Sequence, residues 1–192
     1  MQFSLDETHV WYELKLNEPR PRPALPPGMR LVRGGFEELP VLRQLPNISD
    51  VTARRRLAAG DGLWLVLDGE KLAFACWVFH DAAETPAAPG GRITLPRGIV
   101  FVEDSITSPA YRGKAIAPAA WASIGDSLAE AGNTSLITKV EGTNQAVIQA
   151  MKKSGILEIA TVHYTRNGPF RRTFVEARPD ANAEWLTGQL VL

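Results

Sequence analysis

The period of the apolar residues changes several times along the chain. Residues 63–67 (LWLVL) and 71–79 (KLAFACWVF) are almost unbroken apolar runs on either side of Asp68-Gly69-Glu70. An Asp-Gly between two such runs signals a tight hairpin. Residues 99–107 open apolar and turn polar at Glu103, so they read as the next strand. Residues 117–131 read as a helix, with Pro118 suited to its first turn and Gly132 to its end. A strand over 136–140 follows, then a helix over 144–153 stopped by Gly155. Two last strands, 156–165 and 171–177, flank Asn167-Gly168, a second hairpin turn. Upstream, 29–33 reads as a short strand. Residues 36–45 and 48–59 read as two short helices, the second capped by Ser49 or Asp50 and ended by Gly60.

That order sets strands on both sides of helices, and such connections require crossovers, so part of the sheet is expected to be parallel. The result is a mixed α/β sheet with helices on its faces. Residues 9–16 could extend, but the prolines from Pro19 to Pro27 forbid helix and hold an open chain. Residues 1–28 are therefore read as a Pro-rich N-terminal arm, 29–178 as the folded domain and 179–192 as a tail that packs back through Trp185. Residues 81–98 are rich in Gly, Pro and Ala and read as a long loop, with room for a short strand at 92–95. Loops of this length often carry function.

Composition narrows the classes. The 192 residues fit one domain, 45% of them are hydrophobic, and 21 basic side chains cancel 21 acidic ones. A nucleic-acid partner would favour a basic excess, so none is expected. No apolar run approaches the roughly 20 residues that span a bilayer, so no membrane is expected either. The opening MQFSLDETHV lacks a secretory pattern, and a cytoplasmic protein is the simplest expectation. Cys76 sits within an apolar strand and reads as a buried, inert thiol. No His or Cys pair has the spacing of a metal site, so no metal is expected.

Chemistry concentrates between residues 99 and 131. A strand ends at Thr107, and the short loop Ser108-Pro109-Ala110-Tyr111-Arg112-Gly113-Lys114-Ala115-Ile116-Ala117 leads into a helix. The first turn of a helix has unpaired N–H groups and the positive end of the dipole, and small residues let a phosphate approach them. Arg112 and Lys114 add charge. A plain strand-to-helix connection with two solvated cations would look the same.

This loop resembles the donor-binding motif of the GNAT superfamily of N-acetyltransferases, Arg/Gln-x-x-Gly-x-Gly/Ala, often preceded by Pro-x-Tyr. Pro109, Tyr111, Arg112, Gly113, Lys114 and Ala117 fit it, while Ala115 stands where the family has glycine. The segment from Asn144 to Gly155 resembles the family's next helix, which begins with Asn and ends Lys-x-Gly-Phe; it has the family's spacing from Asn to Gly, with Ile156 after the glycine. The resemblance implies a mostly antiparallel sheet with a splayed parallel strand pair in its middle and helices on both faces. It implies that acetyl-CoA or another acyl-CoA is the co-substrate. The backbone of Ile106 and Thr107 would hold the pantetheine arm and polarise the thioester carbonyl. The N–H groups of Arg112, Gly113, Lys114, Ala115, Ile116 and Ala117 would hold the pyrophosphate, and Asn144 would contact pantetheine.

The acceptor would be a primary amine of a small molecule or peptide, attacking directly. Glu103 is the expected base, acting through water. Asp104 is its competitor on the opposite strand face, since side chains alternate. Where the family places a tyrosine acid, this chain has Met151, which donates no proton. Tyr111 or Tyr164 could serve, or the thiolate could leave unassisted. His80, His163, Arg54-Arg55-Arg56 and Arg171-Arg172 are read as structural or solvated. Residues 1–28 and 81–98 would cap the acceptor site or serve a homodimer. Two alternatives stand beside acetyl transfer: the same fold with a carrier-protein or aminoacyl-tRNA donor, and a non-catalytic acyl-CoA-binding module.

Overall fold

The computed structural model describes residues 4–45 and 49–191. In chain order these form β1 (Ser4–Lys15), β2 (Met29–Gly34), a 3-10 turn (Phe36–Glu38), α1 (Leu39–Leu42), α2 (Asp50–Ala58), β3 (Gly62–Asp68) and β4 (Lys71–Phe79). Then follow β5 (Ala82–Glu84), β6 (Arg92–Thr94), β7 (Ile99–Thr107), α3 (Ile116–Glu130), β8 (Ser135–Glu141), α4 (Gln145–Lys153), β9 (Leu157–Asn167), β10 (Phe170–Ala177) and α5 (Ala181–Leu190).

Eight strands make one sheet in the order β10-β9-β1-β8-β7-β4-β3-β2. Every neighbouring pair is antiparallel except β7–β8, which is parallel. The alternation of strand side chains divides the core into two layers. On β4, Leu72, Ala75, Trp77 and Phe79 face one layer with α1, α2 and α5. Phe74, Cys76 and Val78 face the other with α3 and α4. A strand buried on both faces reads as an unbroken apolar run, which is why 71–79 shows no alternation.

Residues 4–15 are a strand of the sheet and not part of an arm. β1 pairs with β8 on one side and β9 on the other, and Trp11, Tyr12 and Leu14 are buried. The prolines after it serve a crossing. They carry the chain from β1 to the sheet edge at β2, five strand spacings of about 4.8 Å each. On the way Arg20 donates to the Leu16 carbonyl at 2.8 Å and pairs with Asp126 on α3. Its side chain is only 3% exposed.

Two other expectations shift. Residues 36–45 make a 3-10 turn and a single α-turn rather than one helix. The helix expected over 48–59 is α2, capped by the Ser49 hydroxyl; residue 48 lies outside the described residues. The loop 81–98 contains the β5–β6 pair and buries Ala83, Ala88 and Ile93, so it is part of the core wall. The tail does pack back, as α5, through Ala183, Leu186 and Leu190. None of the helices in the described residues is long and apolar enough to cross a membrane.

Candidate active site

The parallel ladder is short. It runs from Ile99 opposite Ser135 to Val102 opposite Thr138 and stops. Beyond Val102, β7 stays paired only with β4, and the Thr138 hydroxyl donates to the Val102 carbonyl at 2.8 Å, closing the ladder's end. The parting has a local cause. Between Trp77 opposite Glu103 and Ala75 opposite Ile106, Cys76 alone faces both Asp104 and Ser105. Asp104 takes φ 52°, the left-handed conformation of a bulge residue.

The opening between β7 and β8 is a cavity of about 930 Å³. Its lining brings together Glu103, Ile106, Thr107, Arg112, Gly113, Ala115, Ile116, Ala117 and Asn144. Lys114 is the exception: its ammonium lies 5.0 Å from the centre of the Tyr111 ring, outside the lining. One backbone edge of Ile106 and Thr107 is held by β4, and past Val102 the other has no partner from β8.

The loop reaches α3 through two left-handed residues, Gly113 at φ 77° and Ala115 at φ 55°. Ala115 is the N-cap of α3 and forms no side-chain cap bond, so the first-turn N–H groups are left for something in the cleft. The alanine thus keeps a backbone shape that glycine adopts freely, at a cost of about 1–2 kcal/mol. Asn144 has a second duty. It caps α4, its side chain accepting from the Val147 N–H at 3.3 Å.

Glu103 and Asp104 do not lie on opposite faces in the simple sense expected. The bulge breaks the alternation, and both line the cleft. Their partners separate them. Asp104 is held by Arg56 at 2.6 Å. Glu103 meets the Lys139 ammonium at 2.9 Å. Glu103 also lines a second cavity of about 280 Å³, with Arg55, Arg56, Asp61, Asp81 and Arg92. It therefore stands between the two spaces.

Arg56 is not a solvated cation. Its side chain is 17% exposed, and its guanidinium sits 5.3 Å and 5.2 Å from the ring centres of Trp77 and Phe79. Lys139 went unnoticed in the sequence, although a lysine inside the apolar strand Leu136–Val140 was the available signal.

Of the two tyrosines considered as acids, Tyr111 lines the cleft but donates its hydroxyl to Asp68 at 2.9 Å. That bond, with burial and the Asp68 charge, pushes the phenol above its usual range. Tyr164 is buried in the opposite layer, away from both cavities. Met151 is buried against the cleft. His163 hydrogen-bonds the Thr8 hydroxyl at 2.9 Å, and His80 is exposed; neither lines a cavity. The Cys76 thiol is fully buried, and burial pushes its pKa well up. Among the described residues no three His, Cys, Asp or Glu side chains gather as a metal site would need.

No family model matches the sequence, and no curated protein matches it. Solved structures match it in fold. A tandem GNAT protein from the clavulanic acid biosynthesis pathway superposes with TM-score 0.60 and 16% identity, over 85% of this chain and 55% of that one. An acetyltransferase of the GNAT family from Colwellia psychrerythraea does so with TM-score 0.60 and 14% identity, over 86% and 57%. A GCN5-related N-acetyltransferase from Kribbella flavida gives TM-score 0.60 and 13% identity, over 87% and 60%. The chain spans a little over half the length of these structures. What is shared is the fold, and the fold is that of the GNAT acetyltransferases.

Proposed function

We propose that the chain is an N-acyltransferase that moves an acetyl or other acyl group from acyl-CoA to a primary amine. The observation that carries this reading is the cleft itself. Strand parting, loop and Asn144 come from three separate stretches of sequence and line one cavity.

The residues fit such a donor. The N–H groups from Arg112 to Ala117 and the positive end of α3 would receive the pyrophosphate. The free backbone edge of Ile106 and Thr107 would take the pantetheine arm and polarise the thioester carbonyl. The cavity holding Asp61, Asp81 and Arg92 would take the acceptor, because Glu103 lines it as well as the cleft. At about 280 Å³ it suits a compact, polar amine.

The neutral amine attacks the thioester carbonyl, and Glu103 accepts the proton that the nitrogen must lose, directly or through a water. The intermediate then expels the thiolate. Thiol release from acetyl-CoA, followed across a panel of small polar amines, tests the reading. Release that depends on one class of amine supports it. An absence of release across the panel contradicts it.

A further inference from the structure

Glu103 and Lys139 are the first residues past the parting on their strands, since Val102 opposite Thr138 is the last parallel pair. They reach across the opening and join at 2.9 Å, with side chains 24% and 13% exposed. Lys139 is part of the cleft lining, and its ammonium donates to the Glu84 carbonyl at 3.2 Å. It also lies 5.6 Å from the Phe101 ring centre and 5.9 Å from that of Trp11. A lysine has three N–H donors. One of them goes to the Glu84 carbonyl, and the ammonium is ion-paired with the Glu103 carboxylate.

The cleft holds no free phenol among the described residues, because Tyr111 is committed to Asp68 and Met151 has no proton to give. Resting on the acyl-transfer reading, we propose that Lys139 is the proton donor to the departing thiolate, and that Glu103 and Lys139 restore each other across the 2.9 Å of their ion pair. The amine nitrogen forms its bond to the carbonyl carbon, and its surplus proton passes to the Glu103 carboxylate. The C–S bond breaks with its electron pair on sulfur, and an N–H proton of Lys139 goes to that sulfur. The Glu103 proton then crosses to the neutral Lys139 amine. Amide and free thiol leave, and both side chains return to their starting charges.

The test varies the leaving group. Acetyl-CoA is compared with the acetyl thioester of a nitrothiophenol, whose thiolate is stable enough to depart unprotonated. Lys139→Met should lower kcat with acetyl-CoA by about 100-fold or more and lower the rate with the aryl thioester far less. Lys139→Arg keeps the charge and the pairing to Glu103, but a guanidinium does not deprotonate in a protein. It should show the same dependence on leaving group. Acetyl-CoA binding, measured by calorimetry, should stay within a few-fold of wild type in both. Equal losses with both donors, or an arginine variant at the wild-type rate, would overturn the proposal and leave Lys139 as a structural charge. A wild-type protein that releases no thiol from acetyl-CoA would instead refute the acyl-transfer reading itself.

Discussion

The two walls around Glu103 are made differently. The wall proposed for the donor, from Thr107 to Ala117, presents backbone: N–H groups, two left-handed residues and the end of a helix. The wall proposed for the acceptor presents side chains. Arg55, Asp61, Asp81 and Arg92 come from separate stretches of chain, and several of its charges are balanced in pairs such as Arg56–Asp104 and Glu103–Lys139. Backbone recognition depends on conformation and so tolerates many side chains. Recognition by side chains depends on which charges remain unpaired after folding. The donor wall should therefore fail through dihedral angles, and the acceptor wall through charge.

The largest effect is expected at the boundary. Glu103→Gln keeps the shape and removes the proposed base, so kcat should fall by about 100-fold or more while acetyl-CoA affinity holds. Unchanged turnover would remove Glu103 from the chemistry. Next comes Gly113→Val. A Cβ there meets nothing within 4 Å, so the cost is conformational. At φ 77° a branched residue should cost about 1–2 kcal/mol, read as a roughly tenfold loss of acetyl-CoA affinity by calorimetry. A wild-type affinity would mean that the loop does not hold the donor. Smaller still, Ala115→Gly should relieve the left-handed alanine but loosen the unfolded chain. The net should be a gain of roughly 0.5 kcal/mol in denaturant unfolding, with donor affinity kept or improved.

The smallest effect concerns charge near Lys139. Burial first, and then the Lys139 charge, hold the His9 imidazole below the usual histidine range, against Glu7, Glu141 and Glu103. A base whose folded pKa is depressed takes its proton more readily in the unfolded chain. Stability should accordingly fall as pH drops through about 6.5 and below. His9→Gln should flatten that part of the melting-temperature profile, and an unchanged slope would assign it to other groups.

The same contrast explains what could be read from the residues beforehand. Gly113, Ala117 and Asn144 were legible because a backbone-built loop leaves a local motif. The hairpin at Asp68-Gly69 was legible for the same reason. The extension of 9–16 could be read, but the place of β1 in the sheet could not, because its partners β8 and β9 lie more than a hundred residues away and the prolines beside it suggested a free arm. Asp104 was set on the wrong side of the strand because a bulge is a property of two strands in register. Lys139 was missed because its meaning comes from Glu103 across the parting, a distance that no spacing encodes.

The structure of the protein with acetyl-CoA bound bears most directly on the cleft. The pyrophosphate should lie within hydrogen-bond reach of the N–H groups between Arg112 and Ala117, and the pantetheine arm should run between β7 and β8 toward Glu103. A donor bound elsewhere, or none bound at millimolar acetyl-CoA, would contradict the assignment of the cleft and of the acyl transfer built on it.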